Sequence, residues 1–535
     1  MTAPALIPDH RSSIRIALTA WAGTFVYFPL WDARVMLHGD PARWNALLPR
    51  VLRLAVAVVF ALGIALALVA RGGPLDFASL ARSALLMATT WIFGGLLSAG
   101  FTALLAETRM RVYAASQVTA LLLGGAALLS PAALGTVLLV ILSARLGLFP
   151  VSGDRGLALV LPAFSAALLP AWLAGRAAAD TWSGSPPGTD RLTQTALALC
   201  RAFTSMAGWI LGATVVSEAI FAYPGSGQAL LAGTGQLDVL LLLPLALSAL
   251  RLHGIMLDLS PGAPIPPIRP APTRPSHPVL ITAAGLLVVT GALALWGSIA
   301  PPHDPASIDT TRLYEKASPE HRSGTDHLGR DVFSRMLQAQ ATALSGAVVG
   351  GGAALLVGSL WHMGAGALRH HGRAGALLAA TLLTPAEALV IFAPAVVTLV
   401  LVAGLSQSVL LTAVLAGLVL SARVALAIDT SGTVRSARWG VAALAALMVA
   451  AFQVITLLGA TGAGTPEAYA TPGNLLLYGR EWAASIPLLN DSRMLWRVLQ
   501  IAGAAWLPGA ALYALANVQI LPSGEPSSRL TDFLG

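Results

Sequence analysis

Gly324-Thr325-Asp326-His327-Leu328-Gly329-Arg330-Asp331-Val332-Phe333-Ser334-Arg335 is dense in charge and glycine, in a chain that is otherwise overwhelmingly apolar. Before it runs a polar segment, Pro301 to Arg322, preceded by an apolar run from Val279 to Ala300. After it comes a Gly/Ala/Val/Leu run from Ala341 to about Gly366. A polar plug between two bilayer-length segments marks a loop outside a membrane, where one helix hands over to the next. Its glycines allow tight backbone turns, and its Asp and Arg residues can pair locally and cap the following helix.

Composition fixes the class. The apolar fraction is 56% and charged residues make up 10%, against about 25% charged in soluble domains. The fold class is therefore all-α: a polytopic transmembrane helical bundle. The 535 residues accommodate roughly a dozen helices of about 20 residues plus connectors. The net charge of +8 is not a nucleic-acid signal, because arginine in such a chain gathers in cytoplasmic loops and at helix ends, where it meets anionic membrane lipid. The single cysteine, Cys200, excludes an internal disulfide, a Cys-based zinc site and an iron–sulfur cluster. The N-terminus shows no removable signal peptide.

Along the chain, residues 1–46 contain an aromatic-rich apolar segment, Ile14 to Met36, which suits a surface-lying helix as well as an extra spanning one. Spans are expected at Leu47–Ala70, Ser83–Ala106, Val118–Ser143 (with Pro131 inside), Leu157–Ala174, Ala196–Ser217 and Val239–Met256. A Pro-rich stretch, 261–278, reads as an extended, semi-rigid linker. Beyond it the scheme repeats over 279–520, at Val279–Ala300, Ala341–Gly366, Ala376–Val402, Val409–Ile428, Trp439–Gly459 and Met494–Asn517, before a tail at 521–535. On this assignment Arg43, Arg50, Arg53, Arg109, Arg111, Arg176, Arg191, Arg201, Arg251, Arg369, Arg373, Arg423, Arg435 and Arg438 fall on one side, as the positive-inside rule requires. The Gly324–Arg335 loop falls on the other. Two halves of about six helices each, in the same orientation, match the duplicated plan of transporters.

Catalytic motifs are missing from the sequence: no HExxH, no GxSxG, no paired carboxylates at catalytic spacing and no phosphate-binding GxxxxGK[ST]. The chain is expected to be no enzyme and to carry no cofactor. His362, His370 and His371 lack an acidic or Cys partner nearby, and the adjacent pair would point to different helix faces, so no metal site is expected. Two acidic residues stand out. Glu218, followed by Pro224-Gly225-Ser226-Gly227, sits where a helix end turns back toward the bilayer, either as part of a gate or as a solvated turn residue. Glu387, after Pro385 inside an apolar span, either faces the pathway or a partner, or lies near a helix end and reaches water.

The pattern GTDHLGRDVFSR resembles the second permease subunit of peptide- and nickel-type ABC importers. Ala300-Pro301-Pro302-His303-Asp304-Pro305, Leu457-Leu458-Gly459-Ala460-Thr461-Gly462 and the Pro466…Gly473…Leu476…Gly479-Arg480 segment are similar to that subunit as well. In the first half, Val216-Ser217-Glu218-Ala219-Ile220-Phe221-Ala222-Tyr223-Pro224-Gly225-Ser226-Gly227 and Arg145-Leu146-Gly147-Leu148-Phe149-Pro150-Val151-Ser152-Gly153 resemble the first permease subunit. The resemblance implies a tandem fusion of two permeases in a bacterial-type cytoplasmic membrane. It implies a small solute of peptide or metal-chelate class, separate ATP-binding subunits that carry ATP-Mg, and an extracytoplasmic solute-binding protein. On it, Glu218, Pro224, Gly225, Gly227, Gly324, Thr325, Asp326, Gly329, Arg330 and Asp331 belong to outer loops or a gate. Arg176, Asp180, Gly184, Asp429, Arg435 and Arg438 belong to loops facing the ATPase.

The sequence also departs from the family. The EAA-type coupling segment survives only as an echo at Arg176–Gly184, followed by Pro186-Pro187-Gly188, and only Asp429–Arg438 remains in the second half, too short for a helix pair. The outer loop after the first core helix is reduced to Arg71–Arg82. The alternative is therefore a permease-derived scaffold or regulator without ATP-coupled transport.

Overall fold

The computed structural model describes residues 41–72, 75–111, 121, 123–153, 156–184, 191–231, 238–258, 277–403, 405, 408–431, 437–462, 466–477 and 492–520. The segment Ile14–Met36, the linker 261–278 for the most part and the tail after Ile520 lie outside the described residues. Among those described, the architecture is all-α, with one isolated bridge, Thr325 to Asp331, in place of any sheet.

Before residue 259 the helices are α1 (Pro41–Gly72), α2 (Phe77–Arg111), α3 (Pro131–Leu138) running into a π-helical turn, Leu139–Arg145, then α4 (Val160–Gly184), α5 (Arg191–Ser205), α6 (Ala207–Ile220), α7 (Ser226–Leu231) and α8 (Val239–Asp258). After residue 276 come α9 (His277–Ile299), α10 (Val332–Arg369), α11 (Gly372–Ile391), α12 (Pro394–Ala403), α13 (Val409–Ser431), α14 (Ala437–Ala460) and α15 (Ser492–Ile520). Nine helices among the described residues are long and apolar enough to cross a membrane, or ten if the bent pair α5–α6 counts as one span. Pro131–Arg145 and Val239–Ile255 are shorter apolar helices at two further expected spans.

Local chemistry explains where the boundaries differ from the sequence reading. The expected span Val118–Ser143 is broken: Ser130 caps a new helix by accepting from the Ala133 N–H at 3.2 Å, and Pro131 stands at its start, where its missing N–H is harmless. The expected span Ala376–Val402 is two helices. Phe392 is extended (φ −95°, ψ 140°), and Ala393 precedes Pro394, whose ring disfavours helical geometry in the residue before it. The expected span Ala196–Ser217 bends by 51° between α5 and α6. The helix α10 starts at Val332 rather than near Ala341, because Asp331 caps it, accepting from the Ser334 N–H at 2.7 Å.

Burial sorts the helices into shells. Only 22% of the apolar window is buried in α1 and in α9, against 89% in α14, so α14 is central and the other two are peripheral. The outer faces carry Val59, Phe60, Ile281 and Val288, all more than half exposed, as lipid-facing surfaces require. On both sides of residues 259–276 two pairings recur. The second span packs most broadly on the fourth (α2 on α4, α10 on α13), and the first packs on the last (α1 on α8, α9 on α15). Small residues permit this closeness: a Cβ on Gly175 would stand 2.7 Å from the Ser98 carbonyl oxygen, and one on Gly417 would stand 2.4 Å from that of Gly350. The two sets of helices meet along a seam where α1 packs on α11, α3 on α15 and α6 on α12.

Candidate functional site

The polar plug is a closed network built on buried charge. Asp326 Oδ1 accepts from the N–H groups of Leu328 (2.9 Å) and Arg330 (3.0 Å), and its Oδ2 pairs with Arg330 Nε at 2.8 Å. Arg335 Nε stands 3.6 Å from the same oxygen. Both guanidiniums are buried, and both reach Glu467: Arg330 Nη2 donates to its carboxylate at 3.1 Å, and Arg335 Nη2 to its carbonyl at 3.2 Å. His327 Nε2 lies 3.1 Å from that carboxylate as well. Two arginines and two carboxylates thus neutralise one another.

The preceding segment folds over this network. Thr325 Oγ1 accepts from the Glu315 N–H at 2.8 Å and donates to the Arg312 carbonyl. Gly329 has φ +76°, and a Cβ there would stand 1.8 Å from the Asp309 carbonyl oxygen, so glycine is required on both conformational and steric grounds. Gly324 (φ +74°) sits below Arg497 of α15, whose Nη2 donates to the Glu315 carbonyl. Asp309 itself is half-buried; the Thr311 hydroxyl (2.6 Å) and the Thr311 N–H (3.0 Å) hold its carboxyl below the usual range.

His303, His321 and Asp331 place three donor atoms within 4.8 Å of one another, a grouping not read from the sequence. Asp331 Oδ1 is bonded to His321 Nδ1 at 2.9 Å, and its Oδ2 caps α10. The Arg312 guanidinium reaches His321 Nε2 at 3.3 Å, which sets a positive charge against the cluster. His303 joins this pair by ring contact, its centroid 4.7 Å from that of His321, and bonds the Glu320 carbonyl at 2.9 Å.

The first-half turn is simpler. Glu218, fully buried near the end of α6, accepts on Oε2 from the N–H groups of Gly227 (2.7 Å) and Gln228 (3.1 Å). Its carboxylate thereby holds the N-terminus of α7. A Cβ on Gly225 would fall 2.3 Å from that oxygen. Pro224 offers its carbonyl to Arg82 Nε (2.6 Å), and Tyr223 donates to the Arg82 carbonyl (3.0 Å). Glu218 therefore ties α6 to α7, and the expected alternative of a solvated turn residue is not what the fold shows.

The seam is stitched by polar groups. Trp172 Nε1 (2.9 Å) and Arg176 Nη1 (2.8 Å) both donate to Tyr513 Oη of α15, and Arg176 also bonds Asn517. Gln453 Nε2 donates to the Leu128 carbonyl at 2.9 Å. Glu387 is buried and pairs with Arg251 Nε at 3.1 Å, joining α11 to α8, so it faces a partner rather than water. A narrow apolar recess on the seam is lined by Trp209, Gly212, Pro394, Leu420, Ala450 and Val454, among others.

The residues expected to face an ATPase are placed differently from a loop. Arg176 and Asp180 lie inside α4, Gly184 ends it, and Arg176 is buried against α15. The physical reason is that α4 stays apolar past Ala174 and finds hydroxyl and amide acceptors for its one cation. Asp429 lies in α13 and Arg438 in α14, while Arg435 is outside the described residues. The sequence reading missed Glu467, Glu315 and Arg497, although Glu467 follows the Pro466 that opens the quoted outer segment. His370 and His371 are exposed at the α10–α11 turn.

No protein-family model matches the chain. A stretch of 101 residues (19% of the chain) is 33% identical to the probable D,D-dipeptide transport system permease protein DdpC of Escherichia coli, covering 33% of that protein. A stretch of 85 residues (14% of the chain) is 33% identical to the nickel transport system permease protein NikC of Escherichia coli, covering 31% of it. A stretch of 59 residues (11% of the chain) is 37% identical to the metal-staphylopine import system permease protein CntC of Staphylococcus aureus, covering 20% of it. The chain thus spans a third or less of the curated relatives it matches, and each of the three is a transport-system permease.

Proposed function

We propose that this chain is the membrane-spanning permease of an ABC-type importer, with two paralogous permease halves fused in one polypeptide. It moves a small solute, of the peptide or metal-chelate class, across a cytoplasmic membrane, driven by separate ATP-binding subunits that carry ATP-Mg. An extracytoplasmic solute-binding protein delivers the solute to the side bearing Glu218 and Gly324–Arg335. The observation that carries this reading is the recurrence of two helix pairings on either side of residues 259–276, second span on fourth and first on last. The partial similarities to permeases of dipeptide, nickel and metal-staphylopine systems support the solute class.

In this reading the seam is the pathway, and the two polar turns are rigid collars at its outer mouth. A second reading, a permease-derived scaffold, is favoured by one feature: α4 leads to α5 through residues 185–190, and α13 to α14 through residues 432–436. These connections leave little chain for a docking helix. Purification from native membranes in gentle detergent, with mass spectrometry of the co-purified proteins, separates the two. Near-stoichiometric ATP-binding subunits are the expected result. Recovery of the chain without them, from membranes in which other importers keep theirs, would establish the scaffold instead.

A further inference from the structure

The connection between α9 and α10 gathers three metal-ligating side chains beside the charge network of Asp326. His303 follows the end of α9, His321 closes the polar segment, and Asp331 caps α10. One ring nitrogen of each histidine and one Asp331 oxygen lie within 4.8 Å of one another. Atoms that close share a point no more than about 2.8 Å from all three, and zinc bonds to nitrogen and oxygen run at about 2.0–2.2 Å. A movement of less than about 1 Å therefore completes a shell of two imidazoles and one carboxylate.

Hydrogen bonds set all three ligands in place. Ser334, in the first turn of α10, accepts from the His303 N–H on its hydroxyl (3.0 Å) and donates its own N–H to Asp331 Oδ2 (2.7 Å). Asp331 Oδ1 is left to face His321 Nδ1 at 2.9 Å. The His321 N–H donates to the Ser318 hydroxyl (3.0 Å), and its carbonyl accepts from the N–H groups of Ser318 and Gly324 (both 2.9 Å). His303 Nε2 stands 2.9 Å from the Glu320 carbonyl, which only accepts, so a neutral ring keeps its lone pair on Nδ1. Metal-bound histidines hold their second nitrogen in this manner. His321 and Asp331 are buried, and the half-buried His303 brings the trio to solvent.

One charge opposes an ion. Arg312 Nη1 lies 3.3 Å from His321 Nε2. A guanidinium only donates, so Nε2 accepts there and the His321 hydrogen sits on Nδ1, shared with Asp331. An ion at Nδ1 moves that hydrogen to Nε2 and turns Arg312 away. Arg312 keeps other partners, the carboxylates of Glu320 (2.9 Å) and Asp309 (3.7 Å).

We propose that His303, His321 and Asp331 form a site for a divalent transition-metal ion of the zinc class, with water in the fourth position and Arg312 competing for the His321 ring. Two imidazoles favour zinc, nickel or copper over calcium and magnesium, which take oxygen ligands. The ion is a resident clamp that joins the end of α9, the polar segment and the start of α10. It rests on no reading of the chain as a permease.

The full-length chain in nanodiscs, carrying no histidine tag and stripped with EDTA, provides the test. After addition of zinc chloride and desalting, elemental mass spectrometry should find about one zinc per chain, and the melting temperature should rise by about 2 °C or more. X-ray absorption at the zinc edge should count two imidazoles and one carboxylate at about 2.0–2.2 Å. His303→Gln leaves the α10 cap in place, so it should melt near wild type without zinc and bind zinc at least about tenfold more weakly. Arg312→Gln should bind zinc severalfold more tightly, a gain that a purely structural role for the trio does not produce. Replacing the exposed His370 and His371 together by Gln should change neither stoichiometry nor melting shift. A wild type that retains no zinc overturns the proposal. So does a His303→Gln variant that binds like wild type, or zinc that is lost with His370 and His371 instead. Recovery of ATP-binding subunits is read separately, so the site and the permease reading fail independently.

Discussion

Around Glu218 one carboxylate receives two backbone N–H groups and pins a short helix, whereas around Asp326 two arginines, two carboxylates and a folded-over strand of chain interlock. Both turns bury acidic side chains at the junction of a long helix with a loop. The difference is in what the acid is paired with. Glu218 is matched by amides, which a neutral side chain can also satisfy. Asp326 is matched by guanidiniums that are themselves buried, so the charge cannot be removed from one side alone. Glu218 is held by amides 9 and 10 residues away, although its turn also reaches Arg82 through Pro224 and Tyr223; Asp326's network is held across the chain by its charges, with Glu467 lying 137 residues from Arg330.

This contrast can be broken by substitution. Asp326→Asn should cost the most, about 3–5 kcal/mol, because it strands two buried arginines; the midpoint of detergent-induced or thermal unfolding measures it. Gly329→Ala comes next, at about 2–3 kcal/mol, since its positive φ and the Asp309 carbonyl both oppose a side chain. Asp331→Ala removes the cap of α10 and should cost about 1–2 kcal/mol, with hydrogen exchange speeding up in the first turn of that helix. Glu218→Gln retains an acceptor for Gly227 and Gln228, so its cost should be about 1 kcal/mol or less. Equal losses for Asp326→Asn and Glu218→Gln would show that the two turns are built alike after all.

The smallest effect sharpens the comparison by pH. The Asp309 carboxyl is held below its usual range by Thr311, so its ionised form favours the folded loop. That contribution is complete above the unfolded carboxylate value of about 3.9 and fades as pH falls through the lower folded value. The unfolding midpoints of wild type and Asp309→Asn should therefore differ slightly at neutral pH and converge under acid conditions. A difference that grows on acidification would reverse the sign argued here.

Much of this could be read from residues alone, and the failures have identifiable causes. The apolar runs placed the long helices because their lengths match a bilayer, while the start of α10, nine residues ahead of its apolar run, depends on the Asp331 cap. The break before Pro394 was missed because hydropathy ignores what a proline does to the residue ahead of it. The family resemblance places Arg176 in a loop facing the ATPase; its acceptors, Tyr513 and Asn517, lie more than 300 residues away and leave no local trace. Glu387 was visible as an anomaly, but its partner Arg251 was visible only as one of many helix-end arginines.

Composition alone makes the chain a helical bundle with polar plugs between apolar spans, because helix formation and burial in an apolar medium depend on windows of about 20 residues. Which charges neutralise one another depends on how the helices pack. Ion pairs are made over a few ångströms in space, and the chain brings Arg330 to Glu467 and Arg251 to Glu387 from distant segments, just as it brings Arg176 to the Tyr513 hydroxyl. It also left Arg423 without a counter-charge among the described residues. No window of sequence records that imbalance, since it is a property of helices packed together.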